Sequence, residues 1–139
     1  MGSAVTEIGE AVRRFLDAPR FAAVATLNHD GSPHVTVVWY ELRGSEILIN
    51  TTATRVKARN LSRDPRVVIL CGDSERYVRI EGRARLAARG RDALEDIRRL
   101  GIRYEGVDAA ERQVRAVWSK QERVSYALTA ERVYAYGIT

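Results

Sequence analysis

The sequence predicts a mainly β, α+β domain in which six or seven antiparallel strands close into a small barrel flanked by short helices. Three observations carry this. Short segments rich in Val, Ile, Thr, Trp and Tyr recur along the chain, each bounded by Gly, Pro, Asn or Asp, the pattern of strands joined by tight turns. The segments with helical spacing are few and short. The chain has 139 residues, 45% apolar and 29% charged, the size and balance of one globular domain. No linker, repeat or low-complexity tract divides it, so residues 1–139 are read as a single domain. Closing the strands into a barrel also removes exposed sheet edges.

Each element has its own signal. Thr6 is placed to cap a first helix, with Ile8, Val12, Phe15 and Leu16 as its apolar stripe and Pro19 as its stop. Phe21 to Leu27 reads as a strand, and Asn28-His29-Asp30-Gly31 as a hairpin turn in which Asp-Gly tolerates positive φ. His34 to Leu42 is the second strand, Arg43-Gly44-Ser45 a turn, and Glu46 to Thr51 the third strand. A helix follows from about Thr54 to Arg63, stopped at Asp64-Pro65 because proline disfavours α geometry in the residue before it. Arg66 to Cys71 and Arg76 to Ala87 are strands around Gly72-Asp73-Ser74. Leu94, Ile97 and Leu100 give Arg91 to Tyr104 helical periodicity, and Asp108 to Trp118 reads as another helix. Arg123 to Leu128 and Arg132 to Tyr136 close the chain as two strands joined by Thr129-Ala130-Glu131.

Composition excludes several classes. The longest largely apolar run, Phe21 to Leu27, has seven residues, far from the roughly 20 needed to span a bilayer. Cys71 is the single cysteine, which forbids an internal disulfide or a cysteine-based zinc site, and its apolar neighbours mark it as an inert buried thiol. His29 and His34 are the two histidines, and no metal site is expected. Glu7 and Glu10 replace a basic leader, so the protein is expected in the cytoplasm. Met1 to Thr6 also fits the pattern for N-myristoylation, but an ordinary Gly-Ser start is the preferred reading. The net charge is +5 with a pI near 9.8, which favours anionic partners. Arginines nevertheless alternate with acids in the helices, as at Arg91-Asp92, so nucleic acid is not the expected partner.

No nucleophile triad, GxGxxG or Walker loop occurs. The informative stretch is Ile47 to Leu61. A strand runs into Asn50-Thr51-Thr52 and then into a helix whose first turns hold Arg55, Lys57, Arg59 and Asn60. A helix N-terminus presents unpaired N–H groups and partial positive charge, and hydroxyls and cations beside it complete an anion site. The same residues also describe a solvated basic helix with threonine caps. Lys57 stands out in an arginine-rich chain, since a compact ammonium meets a phosphate as a point charge.

The segments Phe21-Ala-Ala-Val-Ala-Thr-Leu-Asn-His-Asp-Gly-Ser-Pro-His34, Val38-Trp39-Tyr40, Arg55-Val-Lys-Ala-Arg-Asn-Leu-Ser-Arg-Asp-Pro-Arg66 and Tyr77-Val-Arg-Ile-Glu-Gly-Arg-Ala84 resemble the pyridoxamine 5′-phosphate oxidase-like, FMN-binding split β-barrel superfamily. Within it the chain is most similar to the small single-domain flavin/deazaflavin oxidoreductases of the B group. The resemblance implies a homodimeric split β-barrel with cofactor sites at the subunit interface. It places the ring along the strands at Thr36, Val37, Val38 and Trp39 and at Ile49, Asn50, Thr51 and Thr52. It assigns the cofactor phosphate to Arg55 and Lys57 with Asn60 nearby, and brings Tyr77, Val78 and Arg79 from the other subunit. Coenzyme F420 is the favoured cofactor, with Arg59 and Arg63 suited to its acidic tail, and FMN is the alternative. The implied activity is hydride transfer to an electron-poor small molecule, with a flavin or deazaflavin carrier as the non-catalytic alternative. Trp39, Tyr40, Tyr77 and Trp118 are candidates to stack on a ring, and His34 to donate a proton. The Pro-rich substrate motif of true pyridoxamine phosphate oxidases and the His-bearing tail of the haem-degrading branch are not found in Tyr134 to Thr139, so neither activity is expected.

Overall fold

The computed structural model describes residues 2–5, by their backbone, and residues 7–139. The elements in chain order are β1 (Gly2–Val5), α1 (Glu10–Asp17), β2 (Ala22–Leu27), β3 (Pro33–Val38), β4 (Glu41–Arg43), β5 (Glu46–Thr52), α2 (Val56–Arg63), β6 (Arg66–Gly72), β7 (Tyr77–Arg89), α3 (Gly90–Glu105), α4 (Val107–Ala116) and β8 (Arg123–Tyr136), with a 3₁₀ turn at Trp118–Lys120. The strands form one antiparallel sheet in the order β3-β2-β6-β7-β8-β5-β4, and β1 also pairs with β8. They wrap a single core that includes Val24, Tyr40, Ile49, Ile69, Val78, Ile80 and Leu128. Among the described residues no ladder joins the end strands β3 and β4, so the barrel is split.

The sequence segmentation needs four corrections. The Thr6 cap lies outside the described residues, and α1 begins after Gly9 with no side-chain cap. The strand expected over His34 to Leu42 is broken between β3 and β4, which lie at opposite ends of the sheet. Tyr40 causes the break. Its ring is fully buried, and its hydroxyl donates to the carbonyls of Leu16 (3.0 Å) and Ala18 (3.1 Å). Its own N–H donates to the Tyr104 hydroxyl (3.1 Å) rather than to a neighbouring strand. Trp118 falls in the 3₁₀ turn, after α4 has ended at Ala116. Finally, Thr129-Ala130-Glu131 is not a turn. β8 is one strand of 14 residues, and Glu131 bulges where the register with β7 steps from Glu81–Arg132 to Gly82–Ala130. A bulge accommodates one extra residue without ending the strand.

Gly82 makes that bulge possible. A Cβ at this position would overlap the Thr129 carbonyl oxygen. The long β8 then serves two partners along one edge, β5 against Arg123–Thr129 and β1 against Val133–Tyr136. Gly101 has a similar steric role in α3, where a Cβ would lie 2.7 Å from the Trp118 ring. Trp118, Ile97, Leu100 and Ala110 form a second small apolar cluster, against which Trp39 packs.

Two stability outcomes follow from these contacts. Gly82→Ala forces the β7–β8 ladder apart, and overpacking of this kind costs about 1–3 kcal/mol. Arg103→Met leaves four backbone carbonyls without their guanidinium donor and removes charge-assisted bonds that contribute on the order of 1.5–3 kcal/mol each. Urea unfolding should show both losses, and a midpoint within error of the parent for either variant contradicts the corresponding contact.

Candidate functional site

A cleft of about 300 Å³ opens where the ends of β3 and β5 meet α2 and α3. Val37, Val38 and Trp39 form one wall and Asn50, Thr51 and Thr52 another. Arg55 and Lys57 enter from the start of α2, Ile97 and Leu100 from α3, and Phe21, Trp118 and Arg123 complete the lining. The aromatic side is rigid. Trp39 stacks on Tyr104 with ring centres 5.1 Å apart and planes 10° apart, and meets Trp118 edge-on at 6.2 Å.

The opposite side is cationic. Lys57 is only 8% exposed and has no hydrogen bond or ion pair among the described residues. Burial, and then the charges of Arg55 and Arg123, hold its ammonium pKa below the ordinary lysine value. Arg123 is pushed down to about 10 by burial and by Arg55. Arg55 stands at the N-cap of α2, whose first turn holds no acidic residue. Three cations with no carboxylate among them, at a helix N-terminus, form a receptor for an anionic group. An apolar, aromatic slot beside such a cluster accepts a flat molecule that carries a negative charge.

The structure brings together Val37, Val38, Trp39, Asn50, Thr51, Thr52, Arg55 and Lys57 of the predicted set. The other six lie elsewhere. Ile49 is fully buried in the barrel core. Thr36 sits on the inward face of β3, where its hydroxyl is buried without a partner among the described residues. Asn60 spends its amide N–H groups on Thr26 Oγ1 (3.0 Å) and Asn28 Oδ1 (3.1 Å), tying α2 to the β2 hairpin rather than facing the cleft. Val78 is a core residue, and Tyr77 and Arg79 line a separate depression with Leu70 and Asp73. Tyr77 stacks on Tyr136 at 5.5 Å, and Arg79 covers the Tyr134 ring at 4.7 Å. His34 does not line the cleft, and Tyr40 belongs to the core. Cys71 is buried, which pushes its thiol up to about 12 and leaves it unreactive at neutral pH. Among the described residues no cluster of His, Cys, Asp and Glu fits a metal ion.

Sequence reasoning missed Arg123. It opens the last strand and pairs across the sheet with Thr52. Nothing near it in sequence marks it as part of a site.

This architecture defines a class of small β-barrel proteins with an anion-accepting cleft at the rim. The chain belongs to the pyridoxamine 5′-phosphate oxidase family, whose sequence profile matches residues 8–137, so its fold is that of flavin-type oxidoreductases. Solved structures agree. A conserved hypothetical protein of Mycobacterium tuberculosis, Rv2991, is 30% identical over 95% of this chain and 87% of its own, with a TM-score of 0.75. A protein named F420 reductase is 23% identical over 90% of this chain and 97% of its own, with a TM-score of 0.70. A heme-binding protein of Mycobacterium smegmatis is 23% identical over 86% of this chain and 50% of its own, with a TM-score of 0.62. Among the described residues no helix is long and apolar enough to cross a membrane.

A buried charge without a partner disfavours the folded state. With its lowered pKa, Lys57 releases its proton in the folded protein before the unfolded chain does. The penalty is therefore fully present below the folded-state pKa and fades as pH rises from there through the ordinary lysine range near 10.5. Lys57→Met should raise the urea midpoint of the ligand-free protein at neutral pH, with an advantage that shrinks as the pH becomes alkaline. A lower midpoint in Lys57→Met at neutral pH contradicts this assignment.

Proposed function

We propose that the protein is an oxidoreductase that holds a phosphate-bearing flavin or deazaflavin in this cleft and acts on an electron-poor small molecule. The carrying observation is Lys57, a buried lysine with no hydrogen bond or ion pair among the described residues, beside an aromatic slot. Arg55 and Lys57 meet the phosphoryl group, the β3 and β5 walls position the ring, and Trp39 and Trp118 exclude water from one side. When bound, the ring supplies the two-electron hydride chemistry, for which positioning matters more than a protein acid. Coenzyme F420 is the favoured ring, supported by the similarity to the F420 reductase fold; Arg59 and Arg63 do not line the cleft, since Arg59 faces a separate cavity and Arg63 donates to the Leu27 carbonyl. FMN is the second reading, supported by family membership.

The active form in this proposal is a homodimer. The outer face of β3, β2 and β6 is apolar where an antiparallel sheet facing water is ordinarily polar, and the charged residues of β7 border it. Adjacent strand partners place Val37, Ala23, Leu70 and Arg79 in one row and Val35, Ala25, Val68 and Glu81 in the next. Val35, Val37 and Leu70 are 60%, 69% and 42% exposed. A second copy of the chain would cover this face, and a two-fold interface is the commonest closed assembly. Tyr77 and Arg79 sit at its margin, where they would close the partner's cleft.

Charge-assisted hydrogen bonds to the phosphoryl group contribute on the order of 1.5–3 kcal/mol, so Lys57→Ala should weaken cofactor binding roughly 10- to 150-fold. Lys120→Ala, an exposed lysine outside the cleft, should leave it unchanged. Fluorescence titration with F420 and FMN reads both, and parent-like affinity of Lys57→Ala for both rings refutes the phosphate site. Mixing protein and reduced cofactor with a panel of activated alkenes and quinones tests turnover. Oxidation no faster than without protein assigns the chain a carrier role instead. Light scattering should give a mass near twice 15.6 kDa, falling to one copy in Val35→Arg; a monomeric parent that binds cofactor tightly rejects the shared interface.

A further inference from the structure

We propose that Arg123 is the third anion ligand of the cleft, and that Asp96, acting through Ser125 and Asn50, is the residue that positions it. The proposal rests on the reading that the cleft receives a phosphoryl group, and adds to it a binding residue and the means by which that residue is aimed.

The argument follows hydrogen-bond direction from the helix to the cleft. Asp96 on α3 is 8% exposed. Its Oδ1 accepts from the Arg43 guanidinium at 2.8 Å, and its Oδ2 accepts from the Ser125 hydroxyl at 2.7 Å. Ser125 is fully buried. With its proton committed to Asp96, its oxygen is free to accept, and it does so from Asn50 Nδ2 at 2.9 Å. The same Asn50 nitrogen donates to the Ala93 carbonyl at 2.9 Å. Both amide protons are thereby used, and the Asn50 amide cannot flip without losing them. Its Oδ1 must then point the other way, where it accepts from Arg123 Nε at 2.9 Å. A carboxylate inside the wall thus fixes the orientation of a guanidinium at the cleft.

The arginine so held has capacity to spare. One terminal nitrogen donates to Gln121 Oε1 at 2.7 Å, and the other has no protein partner among the described residues. The sheet register pairs Thr52 with Arg123 and Asn50 with Ser125, so these four side chains lie on neighbouring positions of two paired strands. Arg123 stays charged at neutral pH despite its burial and the nearby Arg55. Three cations in one cleft suit a ligand that carries more than one negative charge: the phosphate monoester of FMN, about −1.5 to −2 at pH 7, or the phosphodiester of F420 together with its acidic tail. A guanidinium also provides N–H donors in a fixed planar fork, whereas the three donors of an ammonium rotate freely. Asn50 therefore acts through Arg123, since both of its own N–H donors are already used.

The test compares each ring in its phosphorylated form with the corresponding alcohol that lacks the phosphoryl group. Arg123→Gln should weaken binding of the phosphorylated ring roughly 10- to 100-fold and change binding of the alcohol less than about 3-fold. Ser125→Ala and Asp96→Ala should give intermediate losses, again confined to the phosphorylated form. Two variants are used because Asp96 also holds Arg43, whereas Ser125→Ala is the gentler change. A ligand-free readout is the solvent exchange of the Arg123 Nε–H by NMR, slow in the parent and faster in both relay variants. Unchanged exchange in both overturns the positioning role, and parent-like binding of the phosphorylated ring by Arg123→Gln overturns the ligand role. Should the parent bind no phosphorylated ring, the cofactor reading fails, and inorganic phosphate decides the present one. A saturable shift of the Arg123 signal supports it, and no shift at tens of millimolar phosphate overturns it.

Discussion

One knot of hydrogen bonds around the C-terminus of α1 holds the halves of the split barrel in place. The carbonyls of Leu16, Asp17 and Ala18 are the groups a helix end leaves unpaired. Arg103 from α3 donates to all three and to the Tyr40 carbonyl, at 2.9–3.1 Å. The Tyr40 hydroxyl reinforces two of them, and the Tyr104 hydroxyl donates to the Arg20 carbonyl. An arginine near a helix C-terminus also complements the dipole there. Three distant segments thus meet at one point: the end of α1, the link between β3 and β4, and the last turn of α3. The strand ladder does not close between β3 and β4, so these side chains do what backbone pairing does elsewhere in the sheet.

The cleft is a consequence of that knot. Because Tyr40 is drawn into the core, Trp39 is turned outward, where it stacks on Tyr104. Because Arg103 and Tyr104 seat α3 on the barrel, Ile97, Leu100 and Asp96 are placed against the ends of β5 and β8. Tyr104, which backs the aromatic wall, and Asp96, which begins the polar relay, thus sit on the same helix. Gly101 lets the Trp118 ring approach α3 closely, at a cost of roughly 1 kcal/mol in helix propensity. Packing in this region favours a fixed slot over the most stable helix.

The cationic wall shows the same trade. Most arginines of the chain have carboxylate or carbonyl partners, as Arg43 has with Glu41 and Asp96, or Arg85 with Glu46. Arg55, Lys57 and Arg123 have no carboxylate partner among the described residues. Mutual repulsion and desolvation of Lys57 and Arg123 oppose folding, and an anion bound between them relieves both. Binding then contributes to the stability of the loaded protein by linkage. Sites that place unpaired charge in a cleft are where stability and function commonly diverge.

The amino-acid sequence determined what depends on local pattern. Alternation and turn residues marked β2, β5, β6 and β7, because a strand with one buried face repeats every second residue. Asn50 to Lys57 was legible as an anion site because a strand end, small hydroxyl residues and a helix start are contiguous in the chain. The tertiary structure alone decided the rest. Tyr40 broke a segment that reads as one strand because its partners, Leu16 and Tyr104, are remote in sequence. Glu131 reads as a turn residue and is a bulge because Gly82, on another strand, leaves room for it. Asn60, three residues past Lys57 on the same helix, faces inward, since helical geometry turns it toward Thr26. Arg123 reached the cleft only through cross-strand register with Thr52, and its aim is set by Asp96 on a helix between them in sequence. Such placements follow from packing and directed hydrogen bonds between distant segments, and local sequence patterns carry no record of them.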